Sequence, residues 1–294
     1  MSKELVIITI PAYNEEQTIG KLIDEIKKVM DENKYNYKIQ VINDGSKDKT
    51  AEIAKQHGAL VYSHPYNLGL AETFRTEMKK CVELSADIIV HTDADGQYPS
   101  YFIPNLIRKI QEGYDLVLGS RFGKGIYSGS FMKKFGNIAF AYVFSGLLKR
   151  KIKDTTTGFR AFRNKVAQIP IINDFTYTQE QLIRAAKAKM NITEVPITTN
   201  LTRESRLFKG PFNFAIKAWV NILRIYRDFA PLKFFGSIGL FFIFLGLLIG
   251  IRLFYFFITT GRVGHMPSTI LTMLLILIGV QIILFGFFAD SIRK

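Results

Sequence analysis

Asp93 and Asp95 stand one residue apart, directly after an apolar run, in Ile89-Val90-His91-Thr92-Asp93-Ala94-Asp95-Gly96-Gln97-Tyr98-Pro99. Carboxylate oxygens at that spacing suit a hard divalent cation. Mg2+ in particular is usually held by one or two carboxylates together with substrate phosphates and water. Gln97 adds a neutral oxygen, so Asp93, Asp95 and Gln97 make a candidate metal set, and the chemistry it points to is the gripping of a metal-bridged diphosphate. A plainer reading also fits: an Asp-rich turn that caps a helix starting near Pro99.

Two further acids follow apolar runs. Glu15 lies in Pro11-Ala12-Tyr13-Asn14-Glu15-Glu16, and Asp44 opens Asp44-Gly45-Ser46. Taken singly, Glu15 reads as a first-turn acid favoured by a helix dipole and Asp44 as turn chemistry. Three separate strand ends that each deliver an acid to one crevice are harder to explain by turns alone.

The elements that must position these residues follow from hydrophobic periodicity. Apolar runs at residues 4–10, 38–42, 59–63 and 87–92 predict four strands. Ile19, Leu22, Ile23, Ile26 and Met30 recur at helical spacing and predict a helix over 15–33. A short helix to His57 and another after Asn67-Leu68-Gly69 complete an alternating pattern. Strands alternating with helices predict an α/β, doubly wound and mostly parallel sheet with helices on both faces. Right-handed crossovers then bring the strand-end loops to one rim, where open sheets place ligands.

Composition bounds the partners. The 294 residues include a single cysteine, Cys81, so no disulfide framework is possible and a reducing cytosolic setting is expected. The formal charge is +14. The residues after Lys233 hold only four of the bases and one acid, which leaves +11 on the first 233. Such an excess suits nucleic acid, a lipid surface or phosphorylated substrates, but no nucleic-acid-binding module is recognisable. Residues 234–258 and 270–289 are almost continuously apolar and long enough to cross a hydrocarbon core, which takes about 20 helical residues. Arg224, Arg227 and Lys233 precede the first stretch and Arg293 and Lys294 follow the second. The positive-inside rule therefore predicts two spans with both termini and the catalytic domain cytoplasmic. The expected domain plan is a cytoplasmic catalytic domain (1–210), an amphipathic juxtamembrane helix (211–232) and a transmembrane hairpin (233–294). Self-association through the spans is left open. The four histidines show no zinc spacing, and the two Asn-x-Thr sequons at Asn191 and Asn200 are chance matches on a cytoplasmic domain.

PAYNEE at 11–16, NDGS at 43–46, DADGQ at 93–97, GSR at 119–121 and TTGFRAF at 156–162 together resemble the family 2 glycosyltransferases of GT-A, Rossmann-like fold. The nearest branch in pattern is the dolichol-phosphate mannose synthase-like group that acts on polyprenyl phosphates, in its two-transmembrane-helix form. The resemblance implies that Pro11, Tyr13, Glu15, Ile42 and Asp44, with Asp93, Ala94 and Asp95, hold a nucleotide-sugar donor. It implies a Mg2+ or Mn2+ ion at Asp93, Asp95 and Gln97, and a role for Arg121 at the donor or acceptor. It places Lys133, Glu180, Arg203, Ser205, Arg206 and Lys209 near the phosphate of a polyprenyl lipid acceptor. Asn43 stands where the family often has a first aspartate. Asp95, Arg203 and Arg121 are the expected catalytic residues, and no catalytic base is named, because a phosphate monoester acceptor is already largely ionised near pH 7. Two other readings share the early motifs. A processive polysaccharide synthase would carry a Gln-x-x-Arg-Trp signature, which Gln181-Leu182-Ile183-Arg184-Ala185 lacks. A membrane-tethered nucleotide-sugar sensor would have no need of the bases at 203, 206 and 209.

Overall fold

The structure, a computed structural model, describes residues 4–121, 152–172, 177–200, 220, 223–224, 226–262 and 266–292. The chain forms two compact units, Met1–Ala215 and Ile216–Lys294.

The first unit is built on a seven-stranded sheet. Its strands are β1 (Leu5–Ala12), β2 (Asn36–Asn43), β3 (Leu60–Ser63), β4 (Ile88–His91), β5 (Leu116–Ser120), β6 (Arg160–Arg163) and β7 (Ile192–Pro196), in the order β3-β2-β1-β4-β6-β5-β7. Every pairing is parallel except those of β6, which runs antiparallel to both β4 and β5. The helices are α1 (Ile19–Glu32), α2 (Thr50–Gln56), α3 (Leu70–Glu83), α4 (Ile103–Gln111), α5 (Asn164–Ala167) and α6 (Tyr177–Lys187). β1 is buried from Val6 to Ala12, as a parallel strand covered on both faces must be. Its alternate residues Val6, Ile8 and Ile10 pack with Ile19, Ile23 and Ile26 of α1 and with Leu106, Ile107 and Ile110 of α4. Thr9 faces the opposite layer and donates to Glu77 Oε1 of α3 at 2.9 Å.

Register fixes the rim. Pro11 pairs with Ile42 and Ala12 with Asn43, so β1 and β2 end level, and β4 ends at His91, paired with Thr9. Because β6 is reversed, Arg160 at its start pairs with His91 at the end of β4. The loop leading into β6 therefore arrives on the same rim as the loop leaving β4.

Two sequence expectations shift. The helix expected over 15–33 starts at Ile19, and residues 15–18 form a turn. Side chains of the loop after β2 take the amides that a helical first turn would leave pointing along its axis: Asn14 N donates to Ser46 Oγ, Glu15 N to Thr50 Oγ1 and Glu16 N to Asp48 Oδ2. Asn14, at φ 54, turns the chain to reach them. β5 and β6 are strands that the GSR and TTGFRAF motifs did not announce as such.

The second unit is a helix pair, α7 (Pro231–Thr260) and α8 (Met266–Ser291), both long and apolar enough to cross a membrane. At about 1.5 Å per residue each exceeds the roughly 30 Å of a hydrocarbon core. The pair closes through glycines: a Cβ on Gly239 would lie 2.5 Å from the Gly279 carbonyl oxygen, and one on Gly279 would lie 2.6 Å from that of Gly239. Small residues at such crossings let helix backbones approach. The outer faces stay apolar and exposed, with Phe241, Phe244, Leu248 and Phe288 among them, and Arg252 is exposed as well.

Candidate active site

The loop from Thr92 to Gln97 leaves β4 at the rim. Gly96 takes φ 70, a left-handed conformation that suits glycine. Gln97 N donates to Asp95 Oδ1 at 3.0 Å, and Tyr98 drives into the core to stack on Phe159 at 5.2 Å. Asp93 and Asp95 both remain partly exposed. They sit in one field: burial pushes the Asp93 carboxyl up to about 6, with the charges of Asp95 and Glu77 adding to the rise and those of His91 and Arg121 opposing it.

The wall against Asp93 is the loop Asp154–Gly158. A Cβ on Gly158 would lie 3.0 and 3.2 Å from the two Asp93 carboxylate oxygens, so glycine is what leaves room for that carboxylate. The loop is tied from several sides. Gly158 O lies 2.8 Å from His91 Nδ1, and Thr157 O accepts from an Arg160 guanidinium nitrogen. Asp154 receives Arg121 in a fork, Nε to Oδ2 at 2.7 Å and one terminal nitrogen to Oδ1 at 2.9 Å, and Arg121 also reaches Thr156 Oγ1. Glu194 of β7 accepts the amides of Lys153 and Asp154.

Beneath this wall lies a buried polar layer. His91 Nε2 is 3.3 Å from Glu77 Oε2, with both side chains buried. Burial alone would lower the His91 pKa, but the Glu77 carboxylate and the charge of Asp93 together outweigh it and the net shift is upward. Arg160, fully buried, donates to Thr178 O at 2.9 Å and to Gln181 Oε1 at 3.1 Å, so it also tethers α6.

The other expected site residues are placed as follows. Tyr13 is exposed at the rim, Glu15 is buried, and Pro11, Ile42 and Ala94 lie in the interior. Asp44 is buried, and its oxygens accept Leu68 N and Gly69 N at 2.8 and 2.9 Å and meet His64 Nδ1 at 2.8 Å, closing the loop after β3. Of the roles open to Asp44, the loop-forming one is what its side chain does here. Arg121 lies on the rim, bound to Asp154. Glu180 is fully buried and occupied by Arg184 Nε at 2.7 Å and Ile172 N at 3.1 Å. Lys133, Arg203, Ser205, Arg206 and Lys209 lie outside the described residues. Sequence reasoning missed Glu77, His91, Asp154 and Arg160. For His91, Asp154 and Arg160 the available signal was a place in or beside motifs read for other residues, and Glu77, in α3, is near none of them.

The donor set fits a divalent ion. Two carboxylates share one patch of rim, and among the described residues no group of three His, Cys, Asp or Glu converges to enclose a metal. An ion at Asp93 and Asp95 would complete its shell with phosphate oxygens and water, as Mg2+ usually does. The raised Asp93 pKa gives this a sign. The folded value of about 6 exceeds the ordinary 3.8, so above pH 6 the metal-free fold carries an ionised group it disfavours, and below 3.8 that penalty vanishes. Asp93→Asn should therefore raise the thermal midpoint of the metal-free protein at pH 7.5. The gain should be on the order of 1–2 kcal/mol, since a half-buried carboxylate keeps some water. It should fade as pH falls through 6 towards 4. Equal midpoints for the two proteins at pH 7.5 would show that the ionised Asp93 carboxylate does not oppose the fold.

Comparison with known proteins agrees with this architecture. The profile described as glycosyl transferase family 2 matches residues 7–169. A dolichyl-phosphate hexose transferase of Haloferax volcanii is 35% identical over 199 residues, spanning 65% of this chain and 80% of that protein. A UDP-N-acetylglucosamine–dolichyl-phosphate N-acetylglucosaminyltransferase of Methanococcus voltae is 31% identical over 230 residues, spanning 70% and 89%. Among solved structures, glucosyl-3-phosphoglycerate synthase from Mycobacterium tuberculosis, in complex with Mn2+, UDP and phosphoglyceric acid, superposes with TM-score 0.59 at 21% identity, covering 76% of this chain and 78% of that one. That likeness establishes the GT-A fold.

Proposed function

The chain belongs to glycosyl transferase family 2, and we propose that it moves a sugar from a nucleoside-diphosphate donor to a polyprenyl phosphate of the dolichyl or undecaprenyl type. The transfer would take place at the cytoplasmic membrane face, with inversion at the anomeric carbon and a bound Mg2+ or Mn2+. The observation that carries the reading is the Asp93–Asp95 pair at the end of β4, one carboxyl pushed up by burial and by its neighbour, in a chain that also carries two helices long enough to span a bilayer. The names of the two sequence relatives support the acceptor class, and the Mn2+ and UDP of the structural neighbour are in keeping with the donor side.

Asp93, Asp95 and Gln97 would hold the ion, which when bound offsets charge on the departing nucleoside diphosphate. Arg121, fixed by Asp154, adds positive potential beside the same carboxylates. Tyr13 at the rim, backed by Pro11, Glu15, Ile42, Asp44 and Ala94, would form the donor side. On the acceptor side, Lys133, Arg203, Ser205, Arg206 and Lys209 would align the lipid phosphate, arginine being suited by its planar fork. Glu180, held by Arg184 and the Ile172 amide, would belong to the same side. A phosphate with second pKa about 6 is already largely dianionic near pH 7, so alignment can replace a general base. The domain plan is a catalytic domain over 1–210, a juxtamembrane helix over 211–232 and a hairpin over 233–294.

The test supplies membranes containing the protein with radiolabelled GDP-mannose, UDP-glucose or UDP-N-acetylglucosamine and a polyprenyl phosphate. The expected result is label in an organic-extractable lipid from one donor, abolished by EDTA. Label in a long water-soluble polymer would instead mark a processive synthase, and donor binding without turnover a sensor.

A further inference from the structure

Beyond β7 the chain does not leave the rim at once. Ile197 N donates to Ser120 O at 2.9 Å, and Thr198 Oγ1 lies 3.2 Å from the Tyr101 hydroxyl. Asn200 then makes two bonds to the metal-site loop: its backbone N donates to Gln97 O at 2.9 Å and its side-chain Nδ2 to Gly96 O at 3.0 Å. A carbonyl only accepts, so the amide end of Asn200 is fixed as the donor.

We propose that Asn200 is a positioning residue that clasps the Gly96–Gln97 turn and thereby sets the Asp95 carboxylate for the metal-bound diphosphate. The proposal rests on the transfer reading above. Its reasoning is local. Gly96 sits at φ 70, and in that conformation the turn belongs to neither helix nor strand, so no ladder of backbone bonds holds it. Gln97 N is what Asp95 Oδ1 accepts. One residue, Gln97, is thus bonded through its N–H to Asp95 and through its carbonyl to Asn200. Releasing the carbonyls lets the turn rotate and takes the amide away from Asp95.

Asn200 is exposed, and three substitutions at it are separable. Asn200→Ala removes the Nδ2 bond and keeps the backbone one. Asn200→Asp keeps the shape but turns acceptor oxygens towards Gly96 O and adds a charge near Asp93 and Asp95. Asn200→Gln keeps an amide donor one carbon further out. The experiment measures Mn2+ affinity of the full chain in nanodiscs, by the free-Mn2+ paramagnetic resonance signal with GDP or UDP present. It also records the metal-free thermal midpoint of each variant and its lipid-transfer activity. The expected result is Mn2+ affinity about tenfold weaker for Asn200→Ala and partly recovered in Asn200→Gln, with a smaller loss in Asn200→Asp because its added negative charge attracts the cation, and with the metal-free midpoints nearly unchanged. A wild type that binds Mn2+ and transfers sugar, with Asn200→Ala binding Mn2+ equally well, overturns the clasp alone. Midpoints that fall in step with affinity across the three variants also overturn it, since a general folding role would do that. A wild type that binds no Mn2+ overturns the metal reading and the clasp together.

Discussion

Replacing Asp95 by alanine is expected to reduce sugar transfer by about three orders of magnitude while leaving the protein folded. The carboxylate is partly exposed, and within the chain it accepts the Gln97 amide. Its removal therefore takes no packing from the core, and the stability change should stay within about 1 kcal/mol, the worth of one ordinary hydrogen bond. The effect on rate is of another size. A charge-stabilising group aimed at a developing anion is typically worth 10²–10³ in kcat, and a metal supplies several kcal/mol of such stabilisation. With Asp95 gone, Asp93 alone would have to hold the ion, and burial still disfavours its ionised form. Mn2+ affinity and kcat should fall together. Single-turnover transfer with saturating donor, at several Mn2+ concentrations, measures both. More than a tenth of wild-type kcat, still abolished by EDTA, would show that Asp95 is not a ligand.

Asp93 and Asp95 differ in what they contribute to the resting fold, and this separates the two substitutions. Asp93 is pushed up chiefly by burial, with the charges of Asp95 and Glu77 adding to it, so its ionised form opposes folding until a cation arrives. Asp95 is held at the turn by its own loop. Asp93→Asn should be more stable than wild type without metal, and Asp95→Ala nearly neutral, although both lose transfer. Stability given up at a functional carboxylate is a usual trade.

The parts of this site that could be read in the sequence are those carried by short-range pattern. Apolar runs that end in acids locate the ends of β1, β2 and β4, and period 3.6 finds the buried face of α1 through Ile19, Ile23 and Ile26. What could not be read depends on residues far apart in the chain. Asp44 looked equally suited to a turn or a ligand. Its partners Leu68, Gly69 and His64 lie some twenty residues on and are brought beside it only by the β2–β3 crossover. The fork of Arg121 closes on Asp154, 33 residues further on. The start of α1 moved because the loop after β2 captures its leading amides. Reversed β6 is only four residues long, Arg160–Arg163, with an arginine at each end. That composition suggests an exposed segment. It becomes central because the β4 and β5 edges both pair with it.

Arg160 is where that failure has the largest energetic consequence, and Arg160→Met is expected to destabilise the first unit by roughly 2–4 kcal/mol. Two effects compete. Methionine fills much of the same volume and removes a buried cation whose desolvation is large enough to bring its pKa down to about 10. Replacing buried charge with apolar groups is often neutral or favourable when the whole charged set goes. Here it does not: Thr157 O, Thr178 O and Gln181 Oε1 would stay in the interior without their donor. Each such orphaned acceptor costs about 1–3 kcal/mol. Three of them outweigh the relief, and at roughly 2–4 °C per kcal/mol for a unit of this size the midpoint should drop by about 4–16 °C. Arg160→Lys keeps the charge but lacks the fork that reaches strand loop and helix at once, so it should recover only part of the loss. The same bonds join the wall behind Asp93 to α6, so the weakened protein should also bind Mn2+ less tightly well below its midpoint. Thermal unfolding read by intrinsic fluorescence, with Mn2+ binding at 10 °C, separates the two consequences. An Arg160→Met protein as stable as wild type would mean that water replaces the lost donor, and the guanidinium would then not be what holds the wall in place.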